Sequence, residues 1–97
     1  MINITSGQRE KILRILHVTF PTDANFYAFG SRVTGRNRED SDLDVAIDTG
    51  TTIPYALLEE TRDLFMASDL PFRVDIVDIN SISDEFREKI SYKEKLS

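Results

Sequence analysis

Apolar positions recur at helical spacing from Gln8 to Phe20. Ile12, Leu13, Ile15, Leu16 and Phe20 share one side, and Gln8, Arg9, Glu10, Lys11 and Arg14 fall between them. Ser6 suits the N-cap and Pro21 closes the helix. Asn25–Phe29 is short and aromatic, which predicts a strand, broken by Gly30-Ser31. A brief helical or turn segment follows, then a polar loop from Gly35 to Ser41. Leu43–Ile47 predicts a second strand that stops at Asp48-Thr49-Gly50. Pro54 suits the first position of a second long helix. Its apolar face is expected from Ala56, Leu57, Leu58, Leu64, Phe65 and Met66, with Thr61 and Arg62 interrupting the stripe. Phe72–Ile79 predicts a third strand, Val74, Ile76 and Val77 alternating with Asp75 and Asp78. Ser83 opens a last helix reaching about Ser91, and the tail Lys93-Glu94-Lys95 is expected to fray.

Helices and strands therefore alternate along the chain, which predicts an α/β sheet with helices packed on it. Periodicity alone does not separate parallel from antiparallel pairing. A length of 97 residues predicts one domain over 1–97, with a core so small that a partner or ligand could add to its stability in a homo- or hetero-oligomer. The absence of cysteine excludes disulfides, Cys-based zinc sites and thiol nucleophiles. No run has the ~20 apolar residues of a membrane span, and no signal-peptide pattern is present, so a cytoplasmic protein is expected. A net charge of −5 argues against nucleic acid as the main partner and favours a protein. It leaves room for a nucleotide, because a few cations suffice around one phosphate group.

Candidate chemistry sits at two strand ends. Asp42 and Asp44 are two apart at the head of a strand, so their side chains share a face and repel. Taken alone they also fit a solvated turn. A hard cation such as Mg²⁺, bound through one or two carboxylates and phosphate oxygens, removes the repulsion. Gly30 permits close approach of backbone to ligand, and the Ser31 hydroxyl beside free helix-start N–H groups suits a phosphate. Asp75 is the candidate third carboxylate, because a charge in an apolar strand needs a partner. The competing reading makes Asp75 an edge residue facing water or pairing with Arg73. Asp78, at an odd offset, points to the other face. Arg32 lies nearest the phosphate cradle, whereas Arg36 and Arg38 are equally well read as solvated loop charges. His17, Tyr27 and Phe29 read as packing residues.

Gly30-Ser31, ten residues, then Asp42-Leu43-Asp44, with Asp75 on a later strand, resembles the DNA polymerase beta-like nucleotidyltransferase superfamily. The wider pattern, from Ala28-Phe29-Gly30-Ser31-Arg32-Val33 through Leu70–Asp78, resembles the minimal nucleotidyltransferases over about residues 8–92. That resemblance implies a small α+β nucleotidyltransferase fold with a mixed sheet. It implies Mg²⁺, as two ions on Asp42, Asp44 and Asp75, and ATP or another nucleoside triphosphate held at Gly30, Ser31 and Arg32. It also implies a helical HEPN-domain partner in a toxin–antitoxin pair, with AMP transferred to a tyrosine of that partner. Thr34 departs from the pattern, since many relatives carry a basic residue there. The competing function is a non-catalytic antitoxin that neutralises its partner by masking it.

Overall fold

The first helix, α1 (Ser6–Thr19), starts two residues earlier than its apolar pattern suggests. Its N-cap is Thr5 rather than Ser6. The Thr5 hydroxyl accepts from the Gln8 N–H, and the Gln8 side chain accepts from the Thr5 N–H, so the reciprocal pair satisfies two end groups at once. Ile12 and Leu16 of α1 are fully buried against the sheet. The coordinates are a computed structural model that describes residues 2–38 and 41–96. Glu39 and Asp40 of the expected polar loop lie outside the described residues.

Four strands form one mixed sheet in the order β3-β2-β1-β4. They are β1 (Asn25–Phe29), β2 (Leu43–Asp48), β3 (Val74–Asp78) and β4 (Lys93–Lys95). β1 runs antiparallel to β2 and to β4, whereas β2 and β3 run parallel. The parallel pair is joined by α3 (Tyr55–Met66), since parallel neighbours need a long crossover. The sheet thus combines a β1–β2 hairpin-like pair, interrupted by the short α2 (Ser31–Thr34), with one helical crossover.

The tail is no frayed end. Lys93–Lys95 pairs with Phe29–Tyr27, the Leu96 N–H donates to Phe26 O at 2.8 Å, and Leu96 is 1% exposed. Two lysines and a glutamate carry no apolar alternation, so the strand was hidden from periodicity. One apolar residue after it anchors the segment.

α3 also corrects the predicted stripe. Pro54 caps the helix instead of opening it, and the buried residues are Leu58, Thr61 and Phe65. Thr61 lies within the buried face, and its hydroxyl donates to Leu57 O at 2.8 Å. A threonine can be buried there because its one polar group is satisfied inside its own helix. Ala56 and Met66 face outward instead.

The main core lies between α1, α3 and one sheet face, filled by Phe26, Ala28, Val45, Ile47, Val74 and Ile76. The opposite face carries a smaller cluster of Phe29, Ala46, Ile79 and Ile90. α4 (Asp84–Lys89) runs over it, and its Phe86 ring meets Phe29 edge-on at 6.3 Å. The Asp44 and Asp75 positions belong to this second face, Asp44 in the row of Phe29. Among the described residues, no helix is long and apolar enough to cross a membrane.

Candidate active site

Asp44 is the second residue of β2, and in the parallel pairing its Cα partner on β3 is Asp75. The antiparallel pairing on its other side places Phe29 opposite it, immediately before Gly30. Neighbouring strands are ~4.8 Å apart, so one row across the sheet brings the two carboxylates and the end of β1 together. Asp42 precedes β2 by one residue and keeps the alternation with Asp44.

The electrostatics carry the mark of this crowding. Burial first, then the charge of Asp75 and then that of Asp42, raises the Asp44 carboxyl from an ordinary 3.8 to about 6. Gly30 has φ +84° and ψ −158°, a region only glycine occupies without strain. It also lies directly under Asp44, because a Cβ on Gly30 would fall on the Asp44 Oδ2 atom and stand 3.3 Å from Cγ. Gly30 therefore serves two needs: it turns β1 into α2, and it leaves the space that the Asp44 carboxylate fills. After it, the Val33 and Thr34 N–H groups bond Gly30 O at 3.0 and 3.1 Å. The Ser31 N–H, at the helix start, has no carbonyl one turn back.

Asp75 is exposed because β3 is an edge strand. The premise that its charge sits inside an apolar strand is thus corrected: Val74 and Ile76 face the core while Asp75 faces out. No ion pair joins Asp75 to Arg73 among the described residues. Its interest as a candidate comes from register with Asp44. Asp78 does turn to the opposite face, where it is 3% exposed and accepts from Ile53 N at 2.7 Å and Asn80 N at 3.0 Å. It is a structural brace for the entry to α3.

Arg32 is placed differently from its expected phosphate role. It is 4% exposed, its Nε donates to Ser41 O and its Nη1 to Asn3 O, each at 2.9 Å. Its guanidinium lies 4.1 Å over the Phe72 ring. Asn3 N in turn donates to Arg32 O at 2.8 Å. The arginine ties the N-terminal segment, α2 and the residue before Asp42 into one unit, so it holds the site's frame together. Nothing in the sequence pairs Asn3 with Arg32. Arg36 and Arg38 are exposed on the following loop. His17 packs edge-on against Phe26 at 5.2 Å.

The donor set suits Mg²⁺: all oxygen, on strand ends, with mutual repulsion that a cation would relieve. Among the described residues no three acidic or histidine side chains are already gathered to hold an ion unaided. An ion that retains waters and phosphate oxygens needs only one or two of these carboxylates.

The sequence profile described as polymerase beta, nucleotidyltransferase matches residues 10–96. The chain belongs to the polymerase beta nucleotidyltransferase family. Among curated proteins, it is 37% identical over 89 residues to the probable protein adenylyltransferase MntA of Haemophilus influenzae, covering 92% of this chain and 77% of that protein. Among solved structures, it is similar to a toxin–antitoxin with AMP-PNP at 28% identity and TM-score 0.75, covering 92% of this chain and 72% of that one. The fold is shared at 24% identity and TM-score 0.73 with a structure of tri-AMPylated Shewanella oneidensis HEPN toxin in complex with MNT antitoxin, covering 97% and 72%.

Proposed function

We propose that this chain is an Mg²⁺-dependent protein adenylyltransferase acting as one minimal domain over residues 1–97, in the cytoplasm. It transfers AMP from ATP to a hydroxyl of a helical HEPN-domain partner, as the antitoxin of a toxin–antitoxin pair. The observation that carries this reading is the row in which Asp75 stands beside Asp44 while Gly30 yields its Cβ space to the Asp44 carboxylate. The name of the Haemophilus influenzae relative and the AMP-PNP in a solved neighbour support AMP transfer in particular.

Asp42, Asp44 and Asp75 would hold Mg²⁺, as two ions, which when bound would supply positive charge to neutralise the triphosphate. The chain's own residues do the rest. Gly30 and Ser31 hold the phosphates through backbone N–H groups and the hydroxyl. Asp44, its pKa raised to about 6 in the free protein, sits where binding of cationic charge favours the carboxylate. Asp75, exposed, can accept the proton from an incoming hydroxyl. That oxygen attacks the α-phosphorus, and pyrophosphate leaves with the electron pair of the broken P–O bond.

The purified protein, the HEPN protein, labelled ATP and Mg²⁺ together test the reading. The expected result is a gain in the partner's intact mass by whole adenylyl groups. Tight association with no mass gain would replace it with neutralisation by masking.

A further inference from the structure

A cleft of about 640 Å³ opens beside the carboxylates, with Asp42 and Asp75 at one end and Phe65, Met66, Leu70 and Val74 along its wall. We propose that this cleft seats the segment of the acceptor protein that presents the hydroxyl, with an apolar side chain of that segment resting on Met66. The inference rests on the function proposed above and names where its second substrate binds.

Direction of attack is the first argument. An oxygen that displaces pyrophosphate from the α-phosphorus must arrive on the side opposite the leaving group. Pyrophosphate leaves toward Gly30 and Ser31 at the end of β1. The strand order then runs β1, β2, β3, so the opposite side is that of Asp75 and the space beyond it. The cleft occupies that space, and its acidic end contains the proton acceptor.

The wall is the second argument. Met66 is 82% exposed, the most exposed large apolar residue among those described, next to Phe65, which the same helix buries. It lies at the cleft, where an apolar side chain from another protein would cover it. Arg73, exposed on the same strand two residues before Asp75, adds a cation with no ion pair among the described residues. The cleft thus mixes apolar side chains with Arg62 and Arg73 and with the carboxylates Asp42 and Asp75, which suits a polypeptide with mixed side chains. A volume of this size lies in the range of ligand sites and accommodates several side chains.

Met66→Glu tests the assignment, with Val18→Glu on α1, 65% exposed and not among the residues lining the cleft, as the control for adding a charge. The HEPN protein is the acceptor probe, and transfer is followed by its intact mass with ATP and Mg²⁺. Association of the two purified proteins without ATP is measured in parallel. The expected result is a rise of at least about tenfold in the KM for the acceptor and in the Kd of association, with the ATP KM changed by less than about twofold. Val18→Glu should leave all three unchanged. An acceptor KM and Kd unaffected by Met66→Glu would overturn the inference while leaving the function standing. A matching loss of ATP affinity would overturn it in favour of a nucleoside site. Neither association nor transfer by the unsubstituted protein would overturn both this inference and the proposed partner.

Discussion

Asp44 is costly to the fold, and the proposed function needs it. Its raised carboxyl pKa of about 6 means that the folded protein holds the Asp44 proton more tightly than the unfolded chain does. Its contribution to stability therefore falls as pH rises from about 4 to about 6 and remains lost above that. Asp44→Asn removes this penalty. In metal-free buffer at pH 7.5 it should raise Tm by a few degrees, for about 1 kcal/mol, and near pH 4 the two proteins should melt together. The same substitution should cut transfer by more than about 100-fold, since a metal-binding charge is worth several kcal/mol at the transition state. Thermal melts across that pH range and a transfer assay check both halves; a mutant less stable at pH 7.5 would mean that Asp44 is not repelled. Gly30→Ala makes the opposite prediction. The positive φ and the displaced Asp44 carboxylate should cost at least about 2 kcal/mol in urea unfolding, and transfer should fail in whatever protein remains folded. Normal transfer by a folded Gly30→Ala protein would separate the glycine from the site.

Strand β4 is the element that pattern reading missed. Its three residues are Lys-Glu-Lys, and what commits them to a strand is the free edge of β1 together with Leu96. The Leu96 carbonyl also accepts from Arg9 Nη1 at 2.7 Å, which links the tail to α1. Leu96→Ala should destabilise the protein by about 2–4 kcal/mol, as removal of a fully buried leucine does. A frayed tail would lose almost nothing, so urea midpoints distinguish the two descriptions. The helices were more legible. Ile12, Leu16, Leu58 and Phe65 fall on helical spacing and are buried. Thr61 is the exception, because hydropathy counts its hydroxyl as polar, whereas the helix absorbs that hydroxyl through Leu57 O.

At the scale of the whole molecule, the proposed function couples ligand binding to folding, because the carboxylate row exists only when β2 and β3 are paired. Mg²⁺ with ATP should therefore stabilise the chain by mass action, by about 2.7 kcal/mol at one hundred times Kd. ATP without Mg²⁺ should do so weakly, since Asp42, Asp44 and Asp75 repel a bare triphosphate and the chain carries a net charge of −5. Melts with ATP, with and without Mg²⁺, check this. Equal shifts in the two conditions would contradict a metal held by these carboxylates.

Some of this protein is written in its residue order. Alternation and helical spacing locate α1, β1, β2, α3 and β3 to within a few residues, because each must bury one face. The spacing of Gly30-Ser31 and Asp42-Leu43-Asp44 marks the family, because a turn and a carboxylate pair at that separation are local features. Tertiary structure alone decided the rest. Whether β2 meets β3 in parallel, and with Asp44 opposite Asp75, depends on the crossover through α3. That Asp75 is exposed depends on β3 being at an edge. That Arg32 braces Asn3 and Ser41 depends on contacts between segments 29 and 9 residues apart. Such facts are long-range by nature: each is set by which surfaces find one another when the sheet closes over its core, and no window of neighbouring residues contains that information.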